Sequence, residues 1–447
     1  MMDTPICDFV RDYAERDALR LHMPGHKGVG LLGMERLDIT EIDGADSLYE
    51  ADGIIRKSEE NAGRLFGCRT YYSTEGSSLC IRAMVYLVML YAKQSGRKPL
   101  IAAGRNAHRA FLSAAALLDP DIMWLYPQNG GSYLSCAPDA RELDEILSNA
   151  AELPAAVYIT SPDYLGNLAD IAAIAEVCHR HGCLLAVDNA HGAYLKFLDV
   201  SAHPIDLGAD ICCDSAHKTL PVLTGGAYLH ISPSAPELFA RQAKNALALF
   251  GSTSPSYLIL QSLDAANAYL TDCRGRLREF LPLAEKLKND LVQCGYSLYG
   301  SEPLKITVDA KKYGYGGKEL ARILAENNAV CEFSDPDDLV LMLTPQNGAE
   351  GLQRLKNILT AIPRKAPITE QPPVMQKGER VLSVRDAILS PSETVPVEKS
   401  RGRVLAAATV GCPPAVPILV SGERIDDHAL SCFAYYGVDT CEVVCGM

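Results

Sequence analysis

A chain of 447 residues with 48% hydrophobic and 22% charged residues can bury a large core, is long enough for two or three domains, and excludes a disordered or fibrous protein. Its net charge of −13 disfavours nucleic acid or an anionic membrane as partner and mildly favours a cationic ligand. The 15 cysteines lack paired metal spacing, Cys441 and Cys445 included, and read as thiols of a reducing, cytoplasmic compartment with no metal centre. The longest apolar run, 83–92, is too short to span a bilayer, and the acidic start of the chain is no signal peptide.

Residues 1–60 read as an amino-terminal arm centred on Arg20-Leu21-His22-Met23-Pro24-Gly25-His26-Lys27-Gly28. The proline and glycines there fix a turn that presents His26 and Lys27. Residues 54–66 have helical apolar spacing and are closed by Gly67. A large domain is expected over 61–265. A strand at 70–73 enters Glu75-Gly76-Ser77-Ser78, and a long apolar helix then runs to about Lys93. Gly76, Ser77 and Ser78 at a helix start make an anion site from free N–H groups and the helix dipole, although a plain N-cap explains a serine there equally well. The next strand, 100–103, ends at Gly104-Arg105-Asn106-Ala107-His108-Arg109.

Strands at 155–160 and 183–187 flank a helix at 171–181 that Gly182 closes, and the second strand ends on Asp188. A strand at 207–213 then runs into Asp214-Ser215-Ala216-His217-Lys218-Thr219, with another strand at 225–231. An acid and a lysine thus leave the carboxyl ends of two strands about 30 residues apart, the spacing of adjacent units in a wound sheet and the place where such sheets bind ligands. A lysine that bonds an aldehyde cofactor, with an ionised acid against the cofactor's pyridine nitrogen, is the pair that pyridoxal 5'-phosphate chemistry needs. Taken alone, a lysine between apolar strands is a solvated surface residue.

The string Val187-Asp188-Asn189-Ala190-His191-Gly192-Ala193, followed by Gly208-Ala209-Asp210 and Ser215-Ala216-His217-Lys218-Thr219-Leu220-Pro221, resembles the ornithine/lysine/arginine decarboxylases in their short, group III form. Matching pieces run in order from residue 21 to residue 423. The resemblance implies the pyridoxal-phosphate-dependent transferase fold type I: an α/β large domain with a mostly parallel seven-stranded sheet, a small α/β domain and a carboxyl-terminal extension. It also implies decarboxylation of arginine, lysine or ornithine to the corresponding amine, a step of polyamine biosynthesis.

On the family's pattern Lys218 carries the cofactor, Asp188 meets its ring nitrogen and His108 stacks on its face. Gly76, Ser77, Ser78, Thr160, Ala190, His191, Ser215 and His217 line the pocket. Ser252 and Thr253, in Phe250-Gly251-Ser252-Thr253-Ser254-Pro255-Ser256-Tyr257, reach the other subunit's cofactor phosphate, so a homodimer with shared active sites is expected. Pro24-Gly25-His26-Lys27 brings His26 and Lys27 near the substrate. The chain departs from the family at Tyr49, where histidine is common, at Glu75, where asparagine is usual, at Ala110, a serine in relatives, and at Gly225-Gly226, often glutamine and a small residue.

A small α/β domain is expected over 266–362, a linker over 363–376 and a shortened decarboxylase-type carboxyl-terminal domain over 377–447. Aminotransferases of this fold place an arginine after the strand matching Leu339-Val340-Leu341-Met342-Leu343, where it clamps the substrate α-carboxylate; here Thr344-Pro345 stand in that place. Gly411-Cys412-Pro413-Pro414-Ala415-Val416-Pro417 and Ser421-Gly422-Glu423 resemble the family's last domain. Acids available for the substrate's distal cation are Asp43, Asp46, Glu332, Asp335 and Glu423, unranked. Two other readings stay open: an aminotransferase or other lyase on the same scaffold, and a cofactor-binding homologue without turnover.

Overall fold

The computed structural model describes residues 2–126, 132–136, 138–407 and 416–446. Seven strands, β1 (Arg69–Ser73), β2 (Leu100–Gly104), β3 (Asp121–Leu125), β4 (Ala156–Thr160), β5 (Leu184–Asp188), β6 (Ile211–Asp214) and β7 (Ala227–Ile231), form one sheet in the order β1-β7-β6-β5-β4-β2-β3. β5 pairs parallel with β6 and β2 with β3, whereas β7 runs antiparallel to β6 and β1. Every residue of β5, β6 and β7 is buried, which is why these strands read as continuous apolar runs without alternation. The fold is the mostly parallel seven-stranded α/β architecture that the sequence implies.

The chain divides into two compact units, the first made of Met1–Pro99, Ala151–Val157 and Ile171–Leu277. Within it the predicted helix is Ile54–Phe66, and Gly67 takes the left-handed φ of 71° that ends it. The helix Gly76–Gln94 buries Leu79, Met84 and Leu87. A further helix, Pro5–Glu15, was not apparent from the sequence. It buries Ile6 and Val10, and Asp264 Oδ2 caps it by accepting the N–H groups of Ile6 at 2.9 Å and Cys7 at 3.0 Å.

The second unit comprises Leu100–Ala150, Tyr158–Asp170 and Arg278–Met447. Its own sheet joins β8 (Ser297–Tyr299), β9 (Lys305–Asp309), β10 (Phe333–Ser334) and β11 (Asp338–Met342) in the antiparallel order β10-β11-β9-β8. Near its end β12 (Ser392–Pro396) pairs with β13 (Thr440–Val444) over a cluster formed by Leu405, Ile425, Phe433 and Val443. The stretch Gly411-Cys412-Pro413-Pro414-Ala415 lies outside the described residues. Among the described residues no helix is long and apolar enough to cross a membrane.

Candidate active site

In the first unit the parallel register sets Asp188, at the end of β5, beside Cys213 of β6. Asp188 is 2% exposed, and its Oδ1 accepts from the Ala190 N–H at 3.2 Å and the Cys213 thiol at 3.7 Å. β6 ends one residue later, and the short helical turn Ala216–Thr219 carries Lys218. Lys218 Nζ stands 3.0 Å from His191 Nε2, so the motif after β5 and the turn after β6 meet. Both the His217 backbone N–H and its Nδ1 bond Gly226 O, at 3.2 and 3.0 Å, which ties the lysine turn to the loop before β7.

The start of the helix Gly76–Gln94 joins the same group. Ser215 Oγ donates to Ser77 Oγ at 2.7 Å, and the Gly76 N–H reaches Gly225 O at 2.7 Å. Gly76 has φ of 70°, and a Cβ there would meet nothing within 4 Å, so the helix start faces open space. Gly225 explains one departure from the family: a Cβ on it would lie 2.9 Å from Thr74 O, and φ is 99°, so only glycine lets the two loops approach. Glu75 is turned to the loop that holds Ser252 and Thr253, both exposed, and its Oε1 accepts the Ser252 N–H at 2.6 Å. Burial, and then the charge of Glu75, push the Tyr49 hydroxyl up to about 12.

The remaining candidates of this unit bond locally. His26 Nε2 meets Asp38 Oδ2 at 3.2 Å, the Gly28 N–H donates to His26 Nδ1, and Lys27 Nζ donates to His22 O. Asp46 is occupied by backbone: it accepts the N–H groups of Ser47, Asp52, Gly53 and Ile55 at 2.9 to 3.1 Å. Burial works against its charge, and the backbone donors, Asp52 first, outweigh it and hold the carboxyl below the usual range. Asp43 is exposed.

In the second unit His108 caps the helix Arg109–Leu118 by accepting the Ala110 N–H on Nδ1 at 3.1 Å. The neutral ring therefore carries its proton on Nε2, and the cap fixes its orientation. Thr160 Oγ1, at the end of β4, is buried without a hydrogen-bond partner. Glu423 is committed to Arg105, at 3.4 Å, and to the Val420 N–H, at 2.8 Å, which removes it from the acids available to a substrate. Asp335 accepts the N–H groups of Asp337 and Asp338 at 2.8 and 2.7 Å, and burial raises it to about 6. Glu332 is exposed and takes the Tyr164 hydroxyl at 3.0 Å. After β11, Thr344 and Asn347 form a reciprocal cap on the next helical turn, so the place of the aminotransferase arginine is used for local structure.

The first unit suits pyridoxal phosphate. An amine and a buried carboxylate leave adjacent strands, and a helix start with Ser77, Ser78 and Ser215 opens on free space. Thr219 Oγ1, beside Lys218, is buried without a partner. Sequence reading passed over Thr219, because a β-branched residue after an apolar strand gives no sign that its hydroxyl is left over.

The chain matches two family patterns, "Orn/Lys/Arg decarboxylase, major domain" over residues 4–299 and "Orn/Lys/Arg decarboxylase, C-terminal domain" over residues 373–439. It is 28% identical to the arginine decarboxylase of Bacillus subtilis (strain 168), over 96% of this chain and 92% of that one. It is 27% identical to the arginine decarboxylase of Halalkalibacterium halodurans, over the same shares. Its fold is similar to that of Francisella novicida lysine decarboxylase, with a TM-score of 0.79, 17% identity, and coverage of 99% of this chain and 81% of the other. The E. coli constitutive lysine decarboxylase gives a TM-score of 0.75 at 17% identity, with coverage of 99% and 82%. The chain belongs to the Orn/Lys/Arg decarboxylase family, the pyridoxal-phosphate-dependent decarboxylases of basic amino acids.

Proposed function

We propose that Lys218, Asp188 and His108 carry the decarboxylation and that arginine, among the basic amino acids of the family, is the substrate. The observation that carries the site is Lys218 Nζ at 3.0 Å from His191 Nε2, on a turn beside the buried Asp188. The choice of arginine rests on relatives aligned over 92% of their own length that bear that name.

When bound, the cofactor supplies a ring that accepts the electron pair left by the departing carboxylate. Lys218 would hold it covalently, Asp188 its ring nitrogen, and Ser77, Ser78 and Ser215 its phosphate at the helix start. Asp188, buried and accepting from the Ala190 N–H and the Cys213 thiol, is an acceptor suited to face a cationic ring nitrogen. His108, its ring fixed by the cap, orients what lies on it, and orientation acts on the barrier. The substrate's amine would displace Lys218 from the cofactor; once the bond between Cα and the carboxylate breaks and carbon dioxide leaves, the freed Lys218 Nζ would return a proton to Cα, with His191 Nε2 placed to exchange a proton with it. The absence of an arginine at Thr344 suits this outcome, since a guanidinium would stabilise the charged carboxylate of the ground state. Asp43 and Glu332, exposed and free of capping duty, suit the distal cation better than Asp46 or Glu423.

The protein is further proposed to be a cytoplasmic homodimer. The segment holding His26 and Lys27 exposes Leu19 and Leu21 at 84%, Val29 at 82% and all of Leu31, apolar surface that a second copy of the chain would cover.

Arginine, lysine and ornithine labelled at the carboxyl carbon are offered to the purified holoenzyme. Labelled carbon dioxide and agmatine from arginine are expected, with no turnover in Lys218→Ala and with His108→Ala lowering kcat more than cofactor retention. Keto acid with the label retained would instead identify an aminotransferase, and release from lysine alone would move the substrate.

A further inference from the structure

The ends of β5 and β6 rest on a buried polar network that the chemistry above does not use. Asp214, the last residue of β6, is fully buried. Its Oδ1 accepts from Asn189 Nδ2 at 2.6 Å, and its Oδ2 faces His203 Nε2 and His230 Nε2, each at 3.1 Å. Asn189 follows Asp188, and Lys218 comes four residues after Asp214. The network therefore joins the strand end that bears the acid to the turn that bears the lysine. Phe66 packs on both imidazoles, with ring centroids 5.5 Å from His203 and 4.4 Å from His230.

Two histidines and an aspartate this close also have the makings of a metal site. The proton positions argue otherwise. His203 Nδ1 accepts the Ile205 N–H at 3.4 Å, so the neutral ring carries its proton on Nε2, toward Asp214, and offers no lone pair there. His230 Nδ1 meets Thr70 Oγ1 at 2.9 Å, which accounts for its other nitrogen. Burial lowers the His230 pKa, disfavouring the imidazolium. Burial also opposes the charge of Asp214, but His203 and then His230 outweigh it and hold the carboxyl well below its usual range. Around it burial raises the Cys68 thiol to about 12 and pushes Cys80, Cys212, Cys213 and Tyr228 upward, and the Lys196–Asp206 ion pair acts on His230 and His203. Asp214 thus holds its negative charge in a dry interior, where charges act strongly, through the two imidazoles that face it.

We infer that Asp214 is a positioning residue for the proposed reaction: held by Asn189, His203 and His230, its charge fixes the Lys218 turn against the end of β5 and favours the protonated state of the site's cations, Lys218 Nζ first. The inference rests on Lys218 as the cofactor lysine. Charge and shape can be separated here. Asn189 Oδ1 is buried without a partner, in the space a Cβ on Gly192 would fill at 2.0 Å. In Asp214→Asn the Asn189 amide can turn over and accept from the new amide, so the hydrogen bonds survive and the charge alone is lost.

The test is a pH titration of the visible absorption of the cofactor on Lys218 in the holoenzyme, without substrate. Asp214→Asn is expected to move the midpoint down by about one pH unit, a tenfold loss of proton affinity. His203→Leu removes the larger of the two contributions that keep Asp214 ionised against burial, so it too is expected to move the midpoint down. Unchanged midpoints overturn the inference. Should Asp214→Asn fail to fold, His203→Leu decides: a downward shift supports the role, and no shift or an upward one overturns it. A wild-type protein with no such band defeats the assignment of Lys218 instead, and so distinguishes that failure from this one.

Discussion

Asp214 and Asp338 stand at strand ends in different units, both nearly closed to water, and they take opposite charge states. Asp214 faces three donors and stays ionised. Asp338, at the start of β11, is 7% exposed; burial first, and the neighbouring Asp335 second, raise it to about 8. The phenol of Tyr299 works the other way but does not reverse the result. Burial alone therefore does not decide whether an interior acid is charged; what faces it does. Near the lysine the chain keeps a buried charge, and in the second unit it keeps a buried proton.

The comparison breaks most visibly if Asp214 is removed outright. In Asp214→Ala three donors are left buried without an acceptor, a loss on the order of 3 to 5 kcal/mol by analogy with broken buried ion pairs. Urea unfolding of the cofactor-free protein measures it. A loss below about 1 kcal/mol, the scale of one ordinary hydrogen bond, would show that the network carries little of the first unit's stability.

That network also marks what could be read from the sequence. Asp188 and Lys218 were legible because each follows an apolar strand, and the βαβ spacing places both at carboxyl ends. Asp214 stood in the same string, yet its role depends on His203 and His230, which reach it only once the chain has folded. The helix Pro5–Glu15 was missed for the same reason, since its capping acid lies 258 residues from Ile6. Gly225, part of a departure from the family pattern, lies at a close approach of two backbones, which a residue alphabet does not display. His108 was placed by resemblance, whereas its orientation as an N-cap needed coordinates.

Asp338 sharpens the comparison through pH. Its folded pKa lies above the unfolded value, so its contribution is fully present below about pH 4 and is lost as pH rises toward about 8. Asp214 has the reverse sign: its contribution is present above the unfolded pKa and fades as the pH falls below it. Asp338→Asn, which keeps the shape without the ionisation, should flatten the decline between pH 5 and 8, where the wild type can lose up to about 1.4 kcal/mol per pH unit. Stability at pH 8 should then exceed that of the wild type. Equal slopes in both proteins, measured by urea unfolding across that range, would remove Asp338 as the source.

The smallest effect comes from two hydroxyls, one in each unit. Thr219 Oγ1, after Lys218, and Thr160 Oγ1, at the end of β4, are both buried with no partner. A hydroxyl held away from water without a hydrogen bond costs free energy, and valine has nearly the same shape without that cost. Thr219→Val and Thr160→Val should each leave the cofactor-free protein as stable as the wild type or more so, by up to about 1 kcal/mol. With the cofactor the sign reverses for any hydroxyl that bonds it, because the valine then lacks a donor the ligand uses. A lost hydrogen bond of about 1 kcal/mol weakens cofactor binding by roughly fivefold, readable from the absorbance of the bound form. A variant that gains stability without cofactor and loses affinity for it marks a hydroxyl kept for the ligand. One that gains stability and binds as before marks a threonine retained for its branched shape alone, and would take Thr160 off the cofactor's contacts or keep Thr219 from joining them.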